Sequence, residues 1–396
     1  MLMRNSLILA ILAFGFYACN SPQAHIYNKE LVVESPAELK EKVHYPAINV
    51  DATARLIDNY FSKINRENHF NGAVLISRYG KLIYKKAYGY ADFRTRKPLT
   101  VQSSFQLASV SKQFTAVAIM MLKEKGLLRY DDSIQRFFPK FPYHGITIRL
   151  LLNHRSGLCN YAYFCDPFFR KIPVNLDGKM VIDLMTKHHP RTYLPPNKHF
   201  DYSNTGYMIL ASIVEKVSKQ SFSNYVNQHI FKPLQMTHSY VGMQDNGIEV
   251  YGYNSPGRRV VKDYLDEIYG DKGIYASVED LYKWDEALYT DKLVKQESLK
   301  EAFTDGSPEQ AAPFNYGFGW RIYTASNGDK TVFHAGWWKG FKTFFMRRLK
   351  DKTTVIILSN VANRSYKDID ELMDVVYDRQ RTADSKFYQK ILHTPE

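Results

Sequence analysis

Hydrophobic residues along the chain follow two periods, one typical of strands and one typical of helices. Strand-like runs at 73–77 and 82–86 are joined by Arg78-Tyr79-Gly80-Lys81, which predicts a β-hairpin. Further strand-like runs occur near the end of the chain, at 318–323, 331–334, 341–347 and 353–359. Helical spacing begins after Asp51, which can cap the first helix. The helical spacing recurs at 109–125 (before Gly126), 147–152, 181–187, 206–217, 222–231 and 369–377.

Strands at both ends of the chain, with helices between them, favour an α+β fold. We expect one antiparallel sheet made from the N- and C-terminal hairpins. The first and last helices would cover it, giving three α/β/α layers, and the middle of the chain would form a helical subdomain over residues 127–270. Regular βαβ units do not occur, so the pattern argues against a Rossmann fold or a TIM barrel.

The first residues predict export from the cytoplasm. Arg4 precedes an apolar run at 7–16 that is too short for a transmembrane helix but typical of a signal peptide. Tyr17-Ala18-Cys19 resembles a bacterial lipobox, so we expect a signal peptide at 1–18 and a lipid on Cys19. A polar tether at 19–50 would then hold the protein in the bacterial cell envelope, on its periplasmic or extracellular face. The alternative is an ordinary secretory signal with an incidental cysteine.

The other two cysteines, Cys159 and Cys165, would lie in an oxidising compartment and could form a disulfide. Closing so short a loop would stabilise the fold by about 2 kcal/mol at most. The alternative is a pair of free thiols. Neither cysteine lies in a pattern typical of a catalytic nucleophile.

Composition and charge narrow the classes of function. The 396 residues are 45% hydrophobic and 23% charged, which is typical of a globular protein. The net charge of +13 could indicate an anionic partner. The basic residues are scattered, however, and no zinc-finger, RRM or helix-turn-helix pattern occurs, so we expect no nucleic-acid partner. The sequence also lacks H-E-x-x-H and G-x-S-x-G, which argues against a metallohydrolase and an α/β-hydrolase.

Ser109-Val110-Ser111-Lys112 forms an S-x-x-K motif at the start of a predicted helix. Positions i and i+3 share a helix face, so Lys112 can reach the Ser109 hydroxyl. A serine needs a base to act as a nucleophile, and both burial and a helix N-terminus disfavour a charged lysine. The motif therefore predicts a nucleophile with its base. The alternative is a helix-capping serine beside a solvated lysine.

A second motif, Tyr202-Ser203-Asn204, offers an acid–base group. A nearby lysine would favour the tyrosine phenolate, which could then relay protons to a leaving group or activate water. Asn204 could hold both Lys112 and a substrate carbonyl. Tyr225-Val226-Asn227 also matches this pattern, but it falls inside a predicted helix and is interpreted as a coincidence.

A third motif, His334-Ala335-Gly336, ends a predicted strand before Trp337. Glycine at this position would let a substrate approach the strand backbone closely. The backbone N–H groups of Trp337 and Ser109 would then form an oxyanion hole. The alternative for His334 is an ordinary core or surface histidine.

In this order, the three motifs resemble the serine β-lactamase-like superfamily, on the branch of class C β-lactamases, D-specific peptidases and related esterases. The resemblance indicates one domain over 51–380, followed by a tail at 381–396. It implies a β-lactamase/transpeptidase-like fold with the site between a mixed and a helical domain, and it implies no metal or organic cofactor. Further matches are NGAVL at 71–75, LLNHRSGL at 151–158, FKPLQM at 231–236 and GDKGIYAS at 270–277.

The resemblance also implies a role for each matched residue. Ser109 would be the acylated nucleophile, and Lys112 would deprotonate it or share a proton with Tyr202. Tyr202 would protonate the leaving group and activate the deacylating water. Asn204 would position the substrate and Lys112.

The third motif departs from the family pattern. His334 lies where many members have lysine, while Gly336 closes the motif as expected. A largely uncharged histidine is a poorer anchor for a substrate carboxylate, and Trp337 and Trp338 would crowd the acyl pocket. These departures favour an esterase or a D-amino-acid peptidase acting on a small-molecule or peptide substrate. The alternatives are a DD-carboxypeptidase or penicillin-binding protein, a weak β-lactamase and, outside enzymes, a non-catalytic binder of peptidoglycan or a partner.

Overall fold

The computed structural model describes residues 45, 47–171, 174–242, 250–255, 257–310, 313–363 and 369–377. The predicted signal peptide, Cys19, most of the predicted tether and the predicted tail lie outside these ranges. Within them, no helix is long and apolar enough to cross a membrane.

The described strands come mainly from the two ends of the chain. In chain order they are β1 (Gly72–Arg78), β2 (Lys81–Tyr88), β3 (Tyr90–Asp92), β4 (Lys97–Pro98), β5 (Phe105–Gln106), β6 (Tyr240–Val241), β7 (Tyr253–Ser255), β8 (Arg258–Arg259), β9 (Ile274–Ala276), β10 (Phe314–Tyr316), β11 (Arg321–Thr324), β12 (Lys330–Trp338), β13 (Phe341–Arg348) and β14 (Thr353–Ser359).

The described helices lie mostly between these two groups of strands. The α-helices are α1 (Val50–Asn68), α2 (Lys112–Glu124), α3 (Ile148–Leu152), α4 (Tyr161–Phe169), α5 (Gly178–His188), α6 (Asn204–Ser218), α7 (Phe222–Val226), α8 (Val278–Ala287), α9 (Gln296–Ala302) and α10 (Ile369–Tyr377). Two 3₁₀-helices, Ala108–Ser111 and Ile134–Arg136, and a π-helical turn, Asn227–Phe231, complete them.

A seven-stranded sheet in the order β10-β11-β12-β13-β14-β1-β2 joins the two ends of the chain, and all its neighbouring strands are antiparallel. The predicted hairpin of β1 and β2 turns through Tyr79 and Gly80, both with positive φ (55° and 70°). Two such residues give the turn the twist that suits a two-residue hairpin. Smaller sheets pair β3 with β4, β5 and β6 with β9, and β7 with β8. The sheet and its flanking helices confirm the predicted α+β fold.

The two faces of the large sheet bury different hydrophobic clusters, because successive strand side chains point to opposite faces. Val74 and Ile76 of β1 pack in one cluster with α1 and α10. Ala73 and Leu75 pack in the larger cluster, which contains the buried faces of α2 and α8. There the rings of Phe114 and Trp284 stack with centroids 4.1 Å apart. The helical layer that carries the S-x-x-K motif therefore packs directly on the sheet.

Several predicted element boundaries shift in the structure. The N-cap of α1 is Asn49, whose side chain accepts a hydrogen bond from Ala52 N (3.0 Å), and Asp51 lies in the first turn instead. The helix predicted at 109–125 begins as a 3₁₀-helix before α2. The helix predicted at 222–231 ends in a π-helical turn, and the strand predicted at 318–323 begins only at Arg321. These differences reflect local hydrogen bonding that hydrophobic spacing does not encode.

The predicted disulfide between Cys159 and Cys165 is wrong, because both cysteines are free. Cys159 lies just before the N-cap of α4, whereas Cys165 lies inside that helix, and both are buried in the larger hydrophobic cluster. Burial raises the pKa of both thiols, to about 12 for Cys165. The two residues therefore act as small hydrophobic core residues.

Candidate active site

Ser109 lies on the 3₁₀-helix that leads into α2, and it is almost completely buried. The preceding residue, Ala108, has a positive φ of 49°. A left-handed conformation at a residue with a Cβ costs about 1–2 kcal/mol, and such local strain is found most often at functional sites. The sharp turn carries the Ser109 hydroxyl to the floor of an open cleft.

Lys112, the first residue of α2, is fully buried beneath Ser109. Its Nζ donates hydrogen bonds to Ser109 Oγ (3.1 Å), Asn204 Oδ1 (2.8 Å) and the backbone oxygen of Asp271 (3.0 Å). The structure therefore brings together the predicted nucleophile, its base and Asn204. Asp271 is a neighbour that the sequence motifs did not indicate.

Tyr202 lies in the loop before α6, and its ring packs over the amine of Lys112, with Nζ 4.9 Å from the centroid. Asn204 is the first residue of α6, so one helix start supplies both residues of the second motif. Ser109, Tyr202 and Asn204 all line the same cleft, which has a volume of about 1040 Å³. The competing match, Tyr225-Val226-Asn227, lies in and just after α7, and none of its residues lines this cleft.

His154 packs behind Tyr202, with ring centroids 4.2 Å apart. The residue is buried, and its Nδ1 accepts a hydrogen bond from the backbone N–H of Ser203 (3.2 Å). Burial, followed by the positive charge of Lys112, lowers the pKa of His154 well below its usual range. A neutral imidazole therefore supports the Tyr202 loop. Sequence analysis quoted this histidine only within the 151–158 match and assigned it no role.

His334 on β12 is fully buried and does not line the cleft. Its Nε2 is hydrogen-bonded to the Tyr316 hydroxyl (3.0 Å), and its ring lies 6.2 Å from that of Tyr202. Burial and the charges of Arg321 and Lys112 lower the pKa of His334 well below its usual range. His334 is therefore a neutral group in contact with Tyr316 and close to Tyr202, outside the lining of the cleft.

Gly336 on β12 packs tightly against the segment that carries Ser109. A Cβ built on Gly336 would lie 2.4 Å from Leu107 O and 2.5 Å from Thr343 Oγ1. Ser109, Gly336 and Trp337 all line the cleft, so the two residues predicted to form an oxyanion hole reach the same site.

The two tryptophans occupy different parts of the cleft. The Trp337 side chain is 57% exposed and stands at the cleft mouth. Trp338 is partly buried, and its Nε1 donates to Asp266 Oδ1 (2.8 Å). Only Trp338 is therefore fixed in the wall of the cleft.

Three further polar residues lie near the site: Tyr161, Asp271 and Lys272. Sequence analysis assigned no role to the two charged residues. All three are buried, and Asp271 and Lys272 line the cleft. The one available signal was the pair of charged residues between two glycines in GDKGIYAS at 270–277. Among the described residues, no group of three or more His, Cys, Asp or Glu side chains could hold a metal ion.

The chain matches the family model described as Beta-lactamase over residues 57–377. It is 35% identical to penicillin-binding protein 4* of Bacillus subtilis, over 77% of this chain and 71% of that protein. It is 32% identical to the putative penicillin-binding protein PbpX of the same organism, over 78% of this chain and 74% of that protein.

A solved structure is also similar to this fold. It is the octameric penicillin-binding protein homologue from Pyrococcus abyssi, with a TM-score of 0.71 and 26% sequence identity over 82% of this chain and 77% of that chain. The family match covers the sheet, the helical layer and the cleft described above. The chain therefore belongs to the Beta-lactamase family of serine hydrolases.

Proposed function

We propose that this protein hydrolyses an ester or amide through an acyl-enzyme formed on Ser109. The observation that carries the proposal is the contact between Lys112 Nζ and Ser109 Oγ at 3.1 Å, on the floor of a cleft. A lysine that is fully buried loses the solvation that favours its charged form, which suits it to accept a proton.

In the first half-reaction, Ser109 Oγ bonds to the substrate carbonyl carbon while its proton passes to Lys112 or, through Lys112, to Tyr202. The negative oxygen of the tetrahedral intermediate would bind the backbone N–H groups of Ser109 and Trp337. The intermediate then expels the alcohol or amine, which takes a proton from Tyr202. In the second half-reaction, Tyr202 removes a proton from water and the resulting hydroxide attacks the acyl carbon. The bond between Ser109 Oγ and the acyl carbon then breaks, the carboxylic acid leaves, and Oγ takes up the proton from Tyr202 through Lys112.

An esterase or D-amino-acid peptidase is the preferred form of this activity. Because His334 is buried and neutral behind Tyr316, it supplies no cation to hold a substrate carboxylate. A DD-carboxypeptidase or penicillin-binding activity is the second candidate, and the names of the Bacillus subtilis relatives favour it. A protein that only binds peptidoglycan would not need the Ser109–Lys112 contact.

The test is labelling with a fluorophosphonate, which reacts with activated serines, followed by intact-mass measurement. We expect one label on the wild type and none on Ser109→Ala. Ser111→Ala is the matched control, since Ser111 lies on the same 3₁₀-helix with its Oγ accepting from Ile274 N (3.2 Å). It should be labelled like the wild type. A folded wild type that takes no label would contradict the hydrolase proposal and favour a non-catalytic binder.

We also propose that a lipid on Cys19 anchors the protein in the bacterial cell envelope, where peptidoglycan would be within reach. The penicillin-binding relatives support the envelope location. Mass spectrometry of the mature N-terminus would test the anchor, since an unmodified N-terminus would exclude it.

A further inference from the structure

The wall of the cleft contains a buried ion pair, Asp271 with Lys272, in the segment between β8 and β9. Asp271 is 2% exposed and Lys272 is 3% exposed, and both line the cleft together with Ser109. Lys272 Nζ lies 3.6 Å from Asp271 Oδ2. Buried charges are costly unless each is paired and hydrogen-bonded. Such a pair beside a nucleophile therefore points to a role in the site.

Tyr161 at the start of α4 joins the two charges. Its hydroxyl donates to Asp271 Oδ2 (3.0 Å) and accepts a hydrogen bond from Lys272 Nζ. Lys272 Nζ also donates a longer hydrogen bond to Ile268 O (3.4 Å). The ammonium of Lys272 therefore has three oxygen partners: the Tyr161 hydroxyl, Ile268 O and the Asp271 carboxylate.

The two oxygens of the Asp271 carboxylate differ in their hydrogen bonding, because Oδ2 accepts from Tyr161 whereas Oδ1 does not. Asp271 Oδ1 is buried, and no group among the described residues donates a hydrogen bond to it. A carboxylate oxygen accepts hydrogen bonds and cannot donate them when it is ionised. Because Asp271 lines the cleft, a donor carried by the substrate would satisfy this oxygen.

The remaining charged side chains that line the cleft are also paired or hydrogen-bonded. Arg170 and Asp166, which both line the cleft, are paired with each other, and Asp263 is paired with Lys339 from outside the cleft lining. Lys342 Nζ donates to Asn363 O (3.4 Å). In the cleft wall, Asp271 Oδ1 is thus an acceptor without a donor among the described residues, whereas the cations already contact acceptors.

We propose that Asp271 binds a positively charged amino group on the acyl part of the substrate. The enzyme would then prefer aminoacyl esters or amides to the same compounds with an N-acyl group. The inference rests on the proposed function. The backbone oxygen of Asp271 accepts from Lys112 Nζ, so the carboxylate belongs to a residue that touches the predicted base. Ser109 and Asp271 both contact Lys112 and both line the cleft, so the amino group would be on the part of the substrate that is bonded to Ser109.

The test uses two α-aminoalkylphosphonate diphenyl esters, one with a free amino group and one N-acetylated, each in both configurations. Ser109 Oγ would bond to phosphorus and phenol would leave, so intact mass reports the labelling rate. A hydrogen bond to a charged group is worth about 1.5–3 kcal/mol, so we expect the free amine to label the wild type about 10- to 100-fold faster. Asp271→Asn should slow labelling by the free-amine ester far more than labelling by the N-acetylated ester, so most of this preference should disappear.

Asp166→Asn is the matched control, since it removes a negative charge from the same cleft where that charge is already paired with Arg170. It should retain the preference for the free amine. Equal labelling of the wild type by both esters, or a preference that survives in Asp271→Asn, would overturn the inference. So would an equal slowing of both esters in Asp271→Asn, because Asp271 would then act only through Lys112.

A plain fluorophosphonate separates this inference from the proposed function. If it labels Ser109 while the two phosphonate esters react alike, only the inference fails. If it does not label the folded wild type, the proposed function fails. Where Asp271→Asn does not fold, equal labelling of the wild type by both esters would still overturn the inference.

Discussion

Ser109 and Lys112 meet because they lie three positions apart on helical backbone. Tertiary contacts determine the surroundings of the lysine. Asn204 on α6 and the backbone of Asp271 both accept hydrogen bonds from Lys112 Nζ. These two groups come from distant parts of the sequence. They hold the amine within 3.1 Å of Ser109 Oγ and away from water.

The buried histidines predict how stability depends on pH. The pKa values of His154 and His334 lie well below 6.5 in the folded protein, mainly because both side chains are buried. Unfolding exposes them, so between the folded and unfolded pKa values the unfolded chain binds more protons. Each buried neutral histidine therefore contributes its full share of the unfolding free energy above the unfolded pKa. That contribution is lost as pH falls below the unfolded pKa, by up to about 1.4 kcal/mol per pH unit for each histidine.

Urea unfolding of the wild type at pH 7 and pH 5 measures this loss. His154→Asn removes one titrating group while keeping an acceptor for Ser203 N, so the change in unfolding free energy between the two pH values should be smaller. Replacing the exposed His188 by Gln should not reduce it. If His154→Asn and the wild type lose the same free energy, the buried-histidine explanation is wrong.

At the scale of elements, β12 and the 3₁₀-helix of Ser109 touch through a glycine. Gly336→Ala would place a Cβ against Leu107 O and Thr343 Oγ1, so strand and helix must separate. Protein interiors tolerate such overpacking poorly, at a typical cost of about 1–3 kcal/mol. We expect slower fluorophosphonate labelling of Ser109 together with a lower urea midpoint.

Gly328→Ala in the turn between β11 and β12 is the matched control. A Cβ there meets nothing within 4 Å, although the φ of 82° is unfavourable for alanine. It should lose about 1–2 kcal/mol of stability from backbone strain, and it should label Ser109 at the wild-type rate. Wild-type labelling of Gly336→Ala would show that the close contact does not position the nucleophile.

At the scale of the whole molecule, a fully buried ion pair links the helical layer to the sheet. Arg347 on β13 donates through Nε to Asp285 on α8, and Thr354 on β14 donates to the same carboxylate (2.6 Å). Asp285→Asn would leave the Arg347 charge buried without its counter-ion. Breaking a buried pair in this way costs about 3–5 kcal/mol.

Urea unfolding of Asp285→Asn measures this cost. The control is Asp183→Asn, which breaks the exposed pair of Lys179 with Asp183 on α5 and should cost well under about 1 kcal/mol. A loss in Asp285→Asn no larger than in the control would mean that the buried pair does not hold the two layers together.

The sequence by itself determined the fold class and the family, because hydrophobic periods and short motifs are local properties of the chain. The strands at both ends and the last helix, Ile369–Tyr377, were predictable in this way. So was the grouping of Ser109, Lys112 and Asn204, since the motif order resembled a known family.

Only the tertiary structure decided which side chains are buried and which of them face the cleft. It placed His334 behind Tyr316, left Cys159 and Cys165 unpaired in the core, and brought Asp271 and Lys272 into the cleft wall. Burial, pKa and unmet hydrogen bonds depend on neighbours from distant segments. Spacing along a single sequence carries no record of those neighbours.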